Sequence, residues 1–337
     1  LDAPARICCR KARCLMAEVW ASNSVTASAP GKVNLFLGVG GLRDDGYHNV
    51  CSVYLALNLR DRVTVTAADQ WGVSVSGSLP QAHLDRVPRD ETNIVIAAAK
   101  LVARLAGITN PQPLHFAIEK NIPVAGGMGG GSADAAAALV AVNELYCAGL
   151  SPQQLIAEAI QLGADVPFAL LGGCAIGRGA GELLEGIEVS REHAFVLLAN
   201  DNPISTPGAY RRFDELVAEQ GFDPATIATP TPESEALAEL NADTDAPLEA
   251  IIFNDLELPA LDQLPELDAD LDLPARFEAP RATAYASFVS GSGPTIAFAC
   301  VDREGAEFFQ SQLAEIGRYA VVASGPAAGA SLENSGN

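Results

Sequence analysis

Pro123-Val-Ala-Gly-Gly-Met-Gly-Gly-Gly-Ser-Ala-Asp134 sets Gly126, Gly127, Gly129, Gly130 and Gly131 between a strand pattern and a helix pattern. Ahead of it, Leu114, Phe116 and Ile118 alternate with a second face up to Lys120, the period of a strand. Behind it, Ala135 to Tyr146 is alanine-rich and reads as a helix, with Ser132 placed to cap it. Glycine lets backbone approach a ligand closely, and the free N–H groups and dipole of a helix start favour an anion. The stretch therefore reads as a phosphate cradle, the alternative being a flexible glycine-rich surface turn. Two better-known phosphate loops do not fit. No lysine lies between Pro123 and Asp134, so the Walker pattern is missing, and G-x-G-x-x-G begun at Gly127 meets Ser132 where its last glycine belongs.

Working outward, 337 residues at 49% hydrophobic content can bury a large core and suggest about two domains. No apolar run reaches the roughly 18 residues needed to span a bilayer. Arg6, Arg10, Lys11 and Arg13 are not followed by the apolar segment of a signal peptide. The expectation is a soluble, cytoplasmic protein. A formal charge of −21 argues against nucleic acid or an anionic membrane as partner, since both need a basic face. Residues 231–280 hold fourteen carboxylates against Arg276 alone, −13 of that charge, and read as a solvated helical surface rather than a recognition site.

Seven scattered cysteines form neither a C-x-x-C pair nor a metal-ligand spacing. Cys51, Cys147, Cys174 and Cys300 lie among apolar residues and read as small core fillers. The chain has only four lysines, and Lys32 and Lys120 flank the motifs that carry chemistry.

From about Val25 strands dominate, with Val33, Leu35, Leu37 and Val39 alternating, then Val53, Leu55 and Leu57. Helices follow at about 93–105 and 152–162 around the strand and cradle. Beyond Gly186 come a strand near 194–199, the acidic helical region, the turn Ser290-Gly-Ser-Gly-Pro294, a strand at 295–300, a helix near 304–316 and a strand near 319–323. Strands and helices intermingle without strict alternation, which reads as an α+β fold of two domains, 25–188 and 189–324. Residues 1–24 read as a disordered leader, with Met16 as a candidate natural start, and 325–337 as a disordered Gly/Ala/Ser-rich tail.

Asp165 stands alone in Leu162-Gly-Ala-Asp-Val-Pro-Phe-Ala-Leu-Leu171. An unpaired buried carboxylate costs several kcal/mol, so Asp165 needs a partner or a pocket, unless it caps a helix at a surface turn. In Ala29-Pro-Gly-Lys-Val-Asn-Leu-Phe36, period-two alternation puts Lys32 and Asn34 on one face, opposite Val33 and Leu35. An edge lysine at a strand start is the other reading. Arg43-Asp-Asp-Gly-Tyr-His48 by itself is an ordinary polar turn.

In combination these motifs are specific. Pro-Gly-Lys-Val-Asn-Leu-Phe-Leu, Asp-Gly-Tyr-His, the cradle, Gly-Ala-Asp-Val-Pro-Phe and Ser-Gly-Ser-Gly-Pro-Thr occur in the order and spacing of the GHMP family of small-molecule kinases. The resemblance covers roughly Val25 to Ser324 and includes Asn254-Asp255-Leu256. It implies a ribosomal protein S5 domain 2-like N-terminal domain and a ferredoxin-like C-terminal domain. It also implies ATP as phosphoryl donor, Mg²⁺ nearby, and a small-molecule alcohol as acceptor, here a cytidine diphosphate-linked methylerythritol.

By that resemblance Pro123, Val124, Ala125, Gly126, Gly127, Met128, Gly129, Gly130, Gly131, Ser132 and Ala133 hold the ATP phosphates, with Asn93 and Lys120 near the adenine. Asp165 is the general base and Lys32 its partner. Asn34, Tyr47 and His48 contact the cytidine end, with Thr206 and Tyr210 closing the opposite side. Tyr210 stands where a phenylalanine is common, so its hydroxyl is new. Ala133 stands where a second serine is frequent, which leaves the metal ligands unassigned. The rivals are a GHMP kinase for a mevalonate- or homoserine-type alcohol and a catalytically dead nucleotide sensor. The aromatic and imidazole of the Asp-Gly-Tyr-His turn speak against the first, and the presence of Lys32 and Asp165 against the second.

Overall fold

A computed structural model describes residues 24–244, 246–277 and 283–333. The expected leader, apart from Ser24, lies outside these residues. Long strand β1 (Ser24–Leu42) is buried almost throughout and pairs antiparallel with β2 (His48–Ala67). The ladder slips between Pro30 and Lys32 and again between Asn34 and Phe36, bulges that re-aim the polar side chains of this segment. β3 (Gly72–Gly77) lies parallel to β4 (Leu114–Lys120), and β4 is antiparallel to β2. β5 (Cys174–Arg178) and β6 (Leu183–Ile187) extend the other half of β2.

Short α1 (Gln81–Leu84) precedes α2 (Ile94–Leu105), where Asn93 caps the helix start by accepting from the Val95 N–H. The helix after the cradle, α3 (Gly130–Leu145), is capped by Gly129 at φ 70°. This corrects the expected Ser132 cap: a left-handed glycine ends the loop earlier, and Ser132 falls inside the first turn. An alanine row on α3 lets the helix lie close on β1 and β2, and Ala135 to Ala138 are fully buried. The helices α4 (Pro152–Ala159), begun by a Ser151/Gln154 capping box, and α5 (Val166–Leu171) complete this half.

The second half is a four-stranded antiparallel sheet in the order β11, β7, β10, β9, formed by β7 (His193–Leu198), β9 (Ala284–Val289), β10 (Ile296–Cys300) and β11 (Ala320–Gly325). With α6 (Thr206–Glu219) between β7 and β9, and α11 (Arg303–Glu315) between β10 and β11, this is the ferredoxin-like split βαβ arrangement. Between α6 and β9 lie α7 (Ser234–Glu239), β8 (Phe253–Asn254), α8 (Glu257–Gln263), α9 (Glu266–Leu271) and α10 (Leu273–Arg276).

Two strands cross back. β8 pairs with Phe36 and Leu37 of β1, and β12 (Ser331–Leu332) pairs with Ala27 and Ser28 on its outer edge. The tail expected to be disordered is thus built in as far as Glu333. Arg60 donates to the carbonyls of Ala328 and Gly329, and the Ala330 N–H donates to Ala169 O, so its small residues are held by backbone bonds that sequence pattern cannot reveal. Residues 334–337 lie outside the described residues.

Two further expectations change. Cys147 is exposed just past α3, whereas Cys51, Cys174 and Cys300 are buried. The acidic segment is not only solvated surface: Asp270 takes a two-pronged bond from Arg318 at 2.6 and 2.5 Å, and Asp255 and Glu257 accept the N–H groups of Val39 and Val289.

Candidate active site

A cleft of about 470 Å³ opens where the cradle, the bulged part of β1, the start of α5, the start of α6 and the turn 290–294 converge. Each wall has a local cause. The Lys32 N–H donates to Met128 O at 3.1 Å, which ties the cradle to β1. Gly129 sits above Lys32 and Asp165: a Cβ there would stand 3.4 Å from Lys32 Cγ and 3.8 Å from Asp165 Oδ2. Gly127, at φ 73°, meets the turn so closely that a Cβ would fall 2.1 Å from Ser290 O. Both positions need glycine for their left-handed conformation, and Gly127 for space as well. Asn254 Nδ2 donates to the carbonyls of Val289 and Gly291 at 2.8 Å each, which fixes this turn to the Asn-Asp-Leu motif.

Lys32 Nζ lies 3.6 Å from Asp165 Oδ2 and donates to Asn34 Oδ1 at 2.5 Å. Asn34 passes the chain on to Ser52 Oγ at 2.7 Å, and Ser52 to Phe36 O at 2.8 Å. The ammonium also stands 5.7 Å from the Tyr54 ring centre. Lys32 is therefore held by three directed contacts while remaining at the cleft. Asp165 occupies the N-cap position of α5 yet makes no capping bond, and its side chain keeps 30% exposure. The capping explanation is excluded. Burial pushes the Tyr54 hydroxyl well above the usual phenol range, with the Asp165 charge adding to it, so Tyr54 stays neutral.

Lys32, Asn34, Tyr47, Thr206 and Tyr210 line the cleft together with Asp165, cradle residues 125–131 and Ser132. Thr206 Oγ1 and Ser292 Oγ share a bond of 2.8 Å that joins α6 to the turn. Tyr47 is 63% exposed at the mouth, and burial raises the Tyr210 hydroxyl above its ordinary range, with Asp165 adding to the effect. Pro123, Val124 and Ala133 lie outside the lining.

Three expected side chains have their polar groups committed elsewhere. Asn93 caps α2 and donates to Pro88 O at 2.6 Å, beside Ile94, which does line the cleft. Lys120 is clamped between Asp61 and Asp134, 2.8 Å from the latter, and donates to Gly130 O at 3.2 Å. The His48 ring turns away from the cleft, with Nδ1 2.9 Å from Gly40 O and Nε2 3.4 Å from Asp214 Oδ2. Sequence reasoning missed Asp61, Asp134, Tyr54, Asn254 and Ser292. Of these, Asp134, Asn254 and Ser292 carried a readable signal, through their places in the cradle, the Asn-Asp-Leu motif and the Ser-Gly-Ser-Gly-Pro-Thr motif.

A glycine cradle at a helix start, facing a lysine–aspartate pair across a cleft between an S5-like and a ferredoxin-like half, defines a small-molecule kinase of the GHMP class. Residues 93–173 match the GHMP kinases N terminal domain. The chain is 42% identical over 306 residues to the 4-diphosphocytidyl-2-C-methyl-D-erythritol kinase of a Nocardioides species, covering 90% of this chain and 98% of that one. A crystal structure of 4-(cytidine 5'-diphospho)-2C-methyl-D-erythritol kinase superposes with TM-score 0.66 at 29% identity, covering 89% of this chain and 98% of that chain. The L. major mevalonate kinase in complex with R-mevalonate shares the fold, with TM-score 0.65 at 15% identity, over 89% of this chain and 96% of that one. The chain belongs to the GHMP kinases and, within them, to the family of 4-diphosphocytidyl-2-C-methyl-D-erythritol kinases.

Proposed function

We propose that this chain transfers the γ-phosphoryl group of ATP to the 2-hydroxyl of 4-diphosphocytidyl-2-C-methyl-D-erythritol, giving the 2-phosphate and ADP in the cytoplasm. The observation that carries the reading is the uncapped Asp165 carboxylate beside Lys32, directly under Gly129 of the cradle. Phosphoryl transfer passes through a loose transition state, so the protein mainly positions groups and balances charge. Asp165 takes the proton of the 2-hydroxyl as that oxygen attacks the γ-phosphorus in line, and the β–γ bridging oxygen leaves with ADP. Lys32 stabilises charge on the attacking oxygen, an attraction of about 4 kcal/mol for unit charges near 4 Å at an effective dielectric of about 20. The amides of 129–132 receive the phosphates.

Among the described residues no group of three or more His, Cys, Asp or Glu side chains could hold a metal alone. That suits Mg²⁺, which takes one or two protein oxygens and completes its shell with phosphates and water. The Ser132 hydroxyl in the first turn of α3 and the Asp165 carboxylate are the side chains here that could hold it. Bound with the nucleotide, it would offset phosphate charge. Tyr47 and Tyr210 bracket the mouth and suit a flat base. Thr206 on α6 faces the same opening, and no described helix is long and apolar enough to cross a membrane.

The test offers ATP with the cytidyl alcohol, mevalonate and homoserine, and reads phosphate transfer by mass spectrometry. Transfer to the cytidyl compound is expected. Efficient transfer to mevalonate or homoserine instead would leave only the kinase family standing.

A further inference from the structure

His48 is 7% exposed, and both of its ring nitrogens face protein. Gly40 O can only accept, so Nδ1 carries a proton. Nε2 faces Asp214 Oδ2 at 3.4 Å, and an ionised carboxylate and a bare imidazole nitrogen would repel there. The imidazole and the carboxylate therefore pair across that gap. Asp214 Oδ1 is itself buried without a partner, so the imidazole is the one side chain that pairs this carboxylate among the described residues.

The imidazole has a second contact. Its face stacks on the Tyr210 ring at 5.1 Å between centres and 22° between planes, and Phe213 meets it edge-on at 6.2 Å. Tyr210, Phe213 and Asp214 all belong to α6, whose apolar side rests on Leu37, Val39 and Val50 of the first sheet. Asp214 lies one turn beyond Tyr210, so pinning it fixes the azimuth of the helix at Tyr210.

We infer that Asp214 and His48 are positioning residues that set the Tyr210 ring as one wall of the base-binding slot, His48 backing the ring rather than reading the base. The inference rests on the proposed cytidyl substrate. It makes a prediction that direct reading does not. Stacking tolerates any base because every base has a π-face, whereas a hydrogen bond from His48 would favour cytosine over uracil.

The experiment measures binding of CDP and UDP by calorimetry, and KM and kcat with ATP and the cytidyl alcohol. The proteins are the wild type, His48→Ala, Asp214→Ala, Asp214→Asn and the double alanine variant. Asp214→Ala and His48→Ala are each expected to weaken CDP and UDP alike by about two- to tenfold, the worth of one aromatic pair, and to raise KM with kcat nearly constant. Asp214→Asn, whose amide can donate to Nε2, should stay within about twofold of the wild type. The double variant should match His48→Ala, since Asp214 acts through the imidazole. A loss confined to CDP, or Asp214→Ala binding both nucleotides like the wild type, overturns the inference. Asp214→Leu fills the same space without pairing and replaces the alanine variant if that one unfolds. A wild type that binds CDP yet leaves the cytidyl alcohol unphosphorylated removes the proposed function while the binding arms still decide the positioning role.

Discussion

Lys32 and Lys120 are both buried, stand on either side of the same glycine cradle, and each meets a carboxylate, yet they do opposite work. Lys32, 6% exposed, faces the cleft with a single carboxylate 3.6 Å away that keeps part of its surface open. Lys120, 2% exposed, is enclosed by two buried carboxylates. Asp61 anchors further, accepting from the N–H groups of Asn121 and Ile122 at 2.6 and 2.9 Å where β4 turns into the cradle. On the proposed mechanism the first cation is the one that meets substrate, while the second bonds to Gly130 O at the start of the helix behind the cradle. A lysine beside a phosphate loop is therefore not chemistry by residue type. What decides is whether its counter-charge can reach a substrate.

The largest expected effect falls on the open pair. Asp165→Asn keeps size and hydrogen bonding but cannot take a proton, so kcat should drop by about 10² to 10⁴ while the melting temperature holds. Near-normal turnover would erase the distinction between the two lysines. Lys120→Met should do the reverse. It leaves buried, uncompensated carboxylates and should cost about 3–5 kcal/mol of stability by urea denaturation. A variant as stable as the wild type would show that the closed cluster does not hold the fold.

Gly129→Val tests the surface between the lysines. The residue lies at φ 70°, within 3.4 Å of Lys32 Cγ for any added Cβ, and a branched side chain there is strained. ATP affinity should fall by about ten- to a hundredfold with circular dichroism unchanged. Retained nucleotide binding would move the phosphates elsewhere. Tyr210→Ala should raise the Michaelis constant for the cytidyl alcohol by about 5- to 150-fold, and Tyr210→Phe should do little.

The smallest effect belongs to Asp134. Burial raises its carboxyl from the ordinary 3.8 to about 8, against the pull of Lys120 and with Asp61 adding to the rise. An acid whose folded value exceeds its unfolded one binds more protons in the folded state between these limits. Its contribution is thus full below about 4 and is lost as pH rises toward about 8. Wild-type stability should decline from about pH 4 to about pH 8, and Asp134→Asn should flatten that decline. An unchanged slope would mean the cluster does not titrate there.

How much of this was legible follows from the range of each interaction. The cradle, the shared face of Lys32 and Asn34, and the lone Asp165 in an apolar run are local patterns, and the structure brings all of them to one cleft. The closed cluster joins residues 59 positions apart, and Asp61 sits in Asn58-Leu-Arg-Asp-Arg62, a run that reads as charged surface. The strand Ala284–Val289 has short, mixed side chains with no clear period, and the returning strand at 331–332 hides in a small-residue tail. The resemblance puts His48 at the cytidine end beside Tyr47, whereas its ring packs against α6. Tyr47 precedes β2 and stays exposed, while His48 opens the strand and is buried against α6, a contact between distant segments that local pattern does not reveal.

The central claim is that Lys32 and Asp165 act as one unit on phosphoryl transfer, and a double-mutant cycle tests it most directly. Single-turnover rates are measured at saturating ATP and cytidyl alcohol for the wild type, Lys32→Ala, Asp165→Asn and the double variant. The account predicts losses of about 10² to 10⁴ for each single change and a double variant little worse than the poorer single one. Losses that multiply fully, or an Asp165→Asn enzyme within tenfold of the wild type, would contradict it.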